Sequence, residues 1–153
     1  MSRVRELFES MVYGPAAEDA SVADAWIQDQ GGVFGHWIDG DWHAAKSHFD
    51  SINPATGQHL AKLGQADKAD IDKAVAAARR ALTPWQELGA EGRARRLYAL
   101  ARQVQKRGRK IAVHETLDNG KPIRETRDID IPLVVRHFYH HAGWASLIDA
   151  EFP

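Results

Sequence analysis

The sequence contains no cysteine. Disulfide bonds, thiolate metal sites, iron–sulfur clusters and a cysteine nucleophile are therefore excluded from these 153 residues. No apolar run approaches the ~18 residues that a membrane-spanning helix needs. The N-terminus mixes Arg3 and Arg5 with Glu6 and Glu9, where a secretory signal would carry an apolar core. We therefore expect a cytoplasmic protein with no membrane partner.

A strong excess of charge of one sign is also missing, because 20 basic residues face 21 acidic ones for a net charge of -1. Positive charge is dense only between Glu91 and Lys110. On a helical wheel most of these side chains lie opposite a leucine face, as on any solvated helix, so we expect no nucleic-acid partner. Arg93 instead projects onto the apolar leucine face of the same helix, and we expect it to pair with a carboxylate.

Apolar spacing predicts two short helices before residue 33. Apolar residues recur at helical spacing from Val4 to Met11, and a second helix is expected from about Glu18 to Gln28. Gly31-Gly32 then interrupts the helical pattern. We define residues 1–32 as an N-terminal helical leader.

The pattern next changes to the alternation typical of strands. Phe34–Ile38 and Asp41–His43 flank Asp39-Gly40, the dipeptide that suits a type I′ hairpin turn. That turn sets the register of the facing pairs, which are His36 with His43, Trp37 with Trp42 and Ile38 with Asp41. A second strand pair, 49–53 with 59–63, is joined by the turn Pro54–Gly57. Together these strands predict a small antiparallel β-meander.

Helices are expected through the rest of the chain. The first begins at the capping residue Asp67 and ends at Thr83-Pro84, because the residue before proline disfavours helical geometry. Further helices are expected at about 91–107, at 111–117 closing at Asn119-Gly120, and at 131–139. The last is apolar on more than one side. The first carries an apolar stripe formed by Ile71, Ala74, Val75, Ala78 and Leu82.

No complete catalytic or metal-binding set is visible. The glycine segment Gly31–Gly35 precedes a strand, so it lacks the strand-to-helix setting of a phosphate-binding loop. Two histidine groups have suggestive spacing: the facing pair His36 and His43, and the helical group His137, His140 and His141. A third ligand is missing from each face, so we predict no metal site in this chain. We also predict no catalytic residue and no cofactor-binding residue.

Six segments taken in order resemble the N-terminal region of the aldehyde dehydrogenase superfamily. They are Ile38–Trp42, Ile52–Gly57, Asp70–Arg79 with Trp85, Arg96–Ala101, Asp118–Pro122 and His141–Ala145. The preceding stretch Leu7–Pro15 is similar to the leader of family 16 of that superfamily.

The resemblance implies an α/β fold of which this chain is an N-terminal part, mostly helices with the small meander. Residues 33–153 would supply the outer helices of the coenzyme domain and the start of an oligomerisation strand after Trp144. Family members oxidise aldehydes to carboxylic acids with NAD or NADP, using a cysteine nucleophile, an asparagine and a glutamate that match no part of this chain. We therefore expect the chain alone to be inactive and to bind no cofactor.

The resemblance also implies a lining for the aldehyde entrance tunnel. Alignment on Trp144 assigns this role to Ile129 and Leu133, for which packing in the core is the alternative interpretation. His140-His141 departs from the aromatic residues common at that place. The expected partners are the remainder of the dehydrogenase chain and further copies in a homo-oligomer. The alternative function is a non-catalytic binding or assembly module that docks the same helices on a partner subunit.

Overall fold

The computed structural model describes residues 18–148. The elements are α1 (Ser21–Asp29), β1 (Val33–Phe34), β2 (His36–Ile38), β3 (Asp41–His43), β4 (Ser47–Ile52), β5 (His59–Gln65), α2 (Lys68–Glu87), α3 (Gly89–Lys106), α4 (Gly108–Asn119), α5 (Ile123–Glu125), a π turn (Thr126–Asp130) and α6 (Ile131–Trp144). The predicted helix Val4–Met11, the segment Leu7–Pro15 and residues 149–153 lie outside the described residues.

The hairpin β2–β3 has the predicted turn and register. His36 pairs with His43, and Trp37 with Trp42, in an antiparallel ladder. Asp39 and Gly40 both have positive φ, 57° and 88°, as a type I′ turn requires. The two tryptophan rings meet edge to face with centroids 5.3 Å apart. The Asp-Gly sequence and this aromatic pair therefore account for the hairpin locally.

The second predicted strand pair also forms, but in a separate sheet. β4 and β5 are antiparallel, while β1 adds to β5 in parallel, giving the order β1-β5-β4. The change of sheet occurs at Gly35, where a Cβ atom would collide with the main-chain oxygen of His43. The strands therefore form two small sheets and not one continuous meander, because Gly35 lets the backbones cross closely.

Helix α2 begins as predicted and ends later than predicted. The Asp67 side chain accepts from the Asp70 N–H at 3.0 Å, and the Asp70 side chain accepts from the Asp67 N–H at 3.1 Å. The expected end at Thr83-Pro84 is wrong, because Pro84 lies inside the helix. Proline beyond the first turn removes one helical hydrogen bond and usually bends or ends a helix, yet α2 continues for three more residues to Glu87. The chain turns only at Gly89, where φ is +67°.

The helical core lies mainly between α3 and α6. Ala101 and Ala142 are fully buried, which lets the two helices approach closely. The Tyr139 hydroxyl donates to Gln105 Oε1 at 3.0 Å across this contact. The carboxylate expected for Arg93 is absent among residues 18–148, where this side chain instead donates to the Gln86 carbonyl oxygen at 3.4 Å.

Helix α4 ends at Asn119 as predicted, with Gly120 in the left-handed conformation. A Cβ at Gly120 would lie 2.7 Å from the Pro54 ring, so this turn packs directly on the β4–β5 turn. The chain then passes through α5 and the π turn, in which the Ile131 N–H donates to the Thr126 carbonyl oxygen. The π turn leads without a break into α6, which carries one of the residues expected to line a tunnel.

Candidate functional site

Ile129 and Leu133 form an apolar pair at the start of α6. Both are exposed, at 50% and 41%. Ile131 and Val135, each two residues further along, are buried against the rest of the molecule. Residues two apart on a helix point in nearly opposite directions, so Ile129 and Leu133 share the uncovered side. Both side chains are thus only partly covered within residues 18–148, and a role in a tunnel stays a prediction.

The facing histidines of the hairpin have separate partners. The His43 ring donates from Nε2 to the Ile38 carbonyl oxygen at 3.2 Å. His36 Nε2 is buried 3.5 Å from Asp70 Oδ2, without hydrogen-bond geometry. His43 therefore closes the hairpin, and His36 lies against the start of α2.

The histidines of α6 lie close together. The His137 and His141 rings are stacked with centroids 6.3 Å apart, and the His140 and His141 rings are 5.3 Å apart. Across residues 18–148 no group of three or more histidine, cysteine or acidic side chains is arranged to hold a metal ion. The absence of a metal site from the whole chain remains a prediction.

An apolar cleft that the sequence did not reveal lies between α1, the three-stranded sheet and α4. Its volume is about 400 Å³. Trp26 stacks on Phe34 at 5.4 Å and meets His114 edge on at 5.1 Å, while Lys110 Nζ lies 4.7 Å from the Trp26 ring. The spacing of Val22 and Trp26 predicted an apolar helix face, but the partners of that face come from distant segments. The walls are mainly apolar, although His114, Glu115 and Asp118 also border the cleft.

Carboxylates with a lowered pKa lie at structural contacts of the fold. The Lys46 ammonium and the Asp70 N–H lower the pKa of Asp67 to about 2, and they do so at the start of α2. Arg127 lowers the pKa of Asp128 in the π turn. Each shift is explained by a neighbour that anchors a helix or turn.

Helix α2 carries an uncovered apolar surface. Ile71, Val75 and Leu82 are 55%, 47% and 53% exposed along one stripe. The opposite side of the helix carries the buried residues Asp70 and Ala77. Uncovered apolar stripes of this kind are typical of docking surfaces.

The glycine segment does not fit a dinucleotide phosphate. Gly31 and Gly32 have φ of +76° and +68° and end α1, and the Gly32 carbonyl oxygen accepts from the Lys62 N–H at 2.9 Å. The segment therefore leads from a helix into a strand and is used for sheet pairing, whereas a pyrophosphate cradle needs free N–H groups at the start of a helix.

Comparison with known proteins identifies the region. A family model described as "Aldehyde dehydrogenase family" matches residues 42–152. DhaS of Bacillus subtilis (strain 168), which carries the name of an aldehyde dehydrogenase, is 43% identical over 119 residues, covering 75% of this chain and 24% of DhaS. The mitochondrial aldehyde dehydrogenase of Homo sapiens is 39% identical over 115 residues, covering 72% and 22%. The chain thus spans about a quarter of the length of these relatives.

Solved structures agree. PnpE in complex with nicotinamide adenine dinucleotide is similar with a TM-score of 0.72 and 35% identity, covering 74% of this chain and 24% of PnpE. The NAD+ complex of an aldehyde dehydrogenase from Bacillus cereus also has a TM-score of 0.72 and 35% identity, covering 76% and 25%. Separately, no helix within residues 18–148 is long and apolar enough to cross a membrane.

Proposed function

The chain belongs to the aldehyde dehydrogenase family, and on that premise we propose that it serves as the N-terminal quarter of an enzyme oxidising aldehydes to carboxylic acids with NAD or NADP. The match over residues 42–152 is the observation that carries this proposal. Relatives solved with NAD support a nicotinamide dinucleotide for the whole enzyme. A cytoplasmic location and a homo-oligomeric assembly belong to the same proposal.

The contribution of this chain is a scaffold and not the reacting groups. It has no cysteine to attack an aldehyde, and its glycine segment is occupied in sheet pairing. Its folded elements instead present two apolar surfaces, the α2 stripe and the pair at the start of α6. Such surfaces supply binding free energy when they are covered. We therefore assign docking and shaping of the aldehyde path to this chain.

The remainder of the dehydrogenase is the partner proposed for the α2 stripe. The test mixes the purified chain with the separately expressed remainder of a related dehydrogenase and follows NADH formation. Activity should require both parts and should fall when the stripe is made polar by Val75→Gln. The control is Lys73→Gln, an exposed change on the same helix. Steady NADH formation by the 153-residue chain alone would refute the assignment.

Ile129 and Leu133 are proposed to line the aldehyde entrance, as their exposed positions in the π turn and in the first turn of α6 permit. In a complete enzyme containing this chain, Leu133→Trp should narrow the entrance and raise the KM of bulky aldehydes more than that of short ones. The KM of the dinucleotide should not change. Equal losses for both aldehyde sizes would show that Leu133 packs in the core of the complete enzyme.

A non-catalytic assembly module is the alternative, because the same uncovered stripe would also suit a partner subunit. The mixing experiment separates the two functions. An assembly module would bind an intact dehydrogenase subunit through the stripe without restoring activity to a truncated one. Restored activity favours the scaffold of an enzyme.

A further inference from the structure

Glu18 is a buried carboxylate for which neither function above has a use. Its side chain is 6% exposed. Oε2 accepts from Arg127 Nη1 at 2.9 Å, and the two residues are 109 positions apart in the sequence. Oε1 lies 3.7 Å from Arg109 Nε and has no hydrogen-bond partner among the described residues. A carboxylate is held in such a place only by strong pairing, since its burial is otherwise costly.

The position of Glu18 also suits a negative charge. It lines a cleft together with Gly108 and Arg109, the first residues of α4. The first N–H groups of a helix have no intrahelical partners and carry partial positive charge, which favours a nearby carboxylate. The structure holds no side-chain cap for α4. Glu18 therefore joins the leader to two separate elements, the start of α4 and the π turn.

Arg127 transmits this contact into the π turn. Its Nε and Nη2 donate to the two carboxylate oxygens of Asp128 at 2.7 and 2.8 Å, and Nη1 is left for Glu18. The fork geometry of guanidinium permits these contacts at once. Asp128 and Glu18, in that order, raise the pKa of Arg127. The guanidinium is thereby fixed on both sides.

The π turn is held at two further points. Thr126 is fully buried, and its hydroxyl donates to the Ile123 carbonyl oxygen at 3.1 Å and contacts Thr116 Oγ1 at 2.8 Å. Asp130 pairs with Lys121. Isolated π turns are rare and persist where the surroundings hold them. Within residues 18–148, only the anchor through Arg127 reaches the leader.

We propose that Glu18 is a positioning residue: through Arg127 it fixes the π turn and so sets where Ile129 lies on the apolar entry of α6. The structural half of the proposal, that Glu18 holds the π turn, rests on the hydrogen bonds of Arg127 with Glu18 and Asp128. The half that concerns aldehyde approach rests on the proposed function. Loss of Glu18 leaves Arg127 without its interior partner, so the hydrogen bond from the Ile131 N–H to the Thr126 carbonyl oxygen should open more often.

Amide hydrogen exchange in the 153-residue chain tests the structural half. Glu18→Gln should speed exchange of the Ile131 N–H by about tenfold or more relative to the Val135 N–H in the same helix. Arg127→Lys should do the same, because an ammonium cannot serve both carboxylates with a fork. The matched control is Glu91→Gln, an exposed glutamate paired with Arg95 at 2.5 Å, which should leave the ratio unchanged.

Three results would overturn the structural half. They are an unchanged Ile131 to Val135 ratio in both variants, equal acceleration at both amides, and an unprotected Ile131 N–H in the wild-type chain. Any of them shows that Glu18 does not hold the turn.

Enzyme kinetics tests the functional half in a chimera, where this chain replaces the homologous quarter of a related dehydrogenase. Glu18→Gln should raise the KM of a bulky aldehyde at least ~3-fold over that of a short one, with kcat and the dinucleotide KM unchanged. An active chimera with an unchanged KM ratio overturns the link to aldehyde approach. An inactive wild-type chimera would count against the proposed function, while hydrogen exchange still decides the role of Glu18.

Discussion

Helices α2 and α3 are of similar length, 20 and 18 residues, and both carry an apolar stripe, yet their surroundings differ. Part of the α3 stripe packs on α6, with Ala101 fully buried at the contact, although Leu100 is still 44% exposed. The stripe of α2 contains three large apolar side chains that are each about half exposed. An apolar pattern thus indicates that a helix face is buried in the complete protein. It does not indicate whether the residues that bury it belong to the same stretch of chain.

The contrast also separates two ways of holding a helix. α2 is fixed at its start by the reciprocal hydrogen bonds of Asp67 and Asp70 and by the Lys46 to Asp67 ion pair. α3 has no side-chain cap and depends on packing. Substitutions in the packed face should therefore affect α3 most, whereas substitutions at the cap should affect α2 most.

The largest effect is expected from overfilling the α3–α6 contact. Ala101→Leu should lower the free energy of unfolding by about 1–3 kcal/mol, since the added methyl groups have no space. Ala78→Leu, which adds the same groups on the exposed side of α2, should change it by less than about 0.5 kcal/mol. Urea unfolding measures both. Equal effects would remove the contrast between the two helices.

A moderate effect is expected from the cap of α2. Asp67→Ala should lower Tm by roughly 2–4 °C, because the Asp70 N–H loses its acceptor. Asp72→Ala on the same helix, which removes only an exposed ion pair with Lys68, should have a smaller effect. A Tm change no larger than that of Asp72→Ala would show that packing, and not the cap, begins α2.

The Asp67 contact also predicts a pH dependence. The pKa of Asp67 falls from 3.8 to about 2 on folding, so its charged form is favoured in the folded state. The stabilisation is complete above the unfolded pKa and is lost as pH falls towards about 2. Asp67→Asn keeps a cap but removes the charge. It should have a lower Tm than wild type at pH 6, and the two Tm values should converge between about pH 4 and pH 2. A constant difference would exclude the ion pair as its cause.

The smallest effect on stability is expected from making the α2 stripe polar. Each of the single variants Ile71→Gln, Val75→Gln and Leu82→Gln should change the free energy of unfolding by less than about 0.5 kcal/mol, because these side chains are already half exposed. The triple variant combines the three polar changes. It should, however, reduce binding of a hydrophobic dye and any self-association of the chain. Larger destabilisation would mean that copies of the chain already cover the stripe.

Local signals predicted much of this fold. Asp39-Gly40 predicted the hairpin and its register, Asp67 predicted the start of α2, and Asn119-Gly120 predicted the end of α4. These features depend on residues within a few positions of each other. The end of α2 was mispredicted because the helix continues through Pro84 to Glu87.

Long-range contacts were the part that local patterns left open. Nothing near Gly35 indicated that the chain changes sheets there, and nothing near Arg93 indicated that its partner is a carbonyl oxygen. The cleft around Trp26 is formed by residues from α1, three strands and α4. Of the candidate site, the exposure of Ile129 and Leu133 could be read only from the folded chain.

By itself the sequence determined most of the longer helices and the hairpin of residues 18–148, the family and the absence of a cysteine nucleophile, because each follows from residue type or short-range spacing. Only the tertiary structure decided which apolar stripe is covered, how the strands divide into two sheets, and that Glu18 meets Arg127 across 109 positions. The physical reason is that burial and charge pairing depend on distances in space, and those distances are set by the packing of segments far apart in the chain.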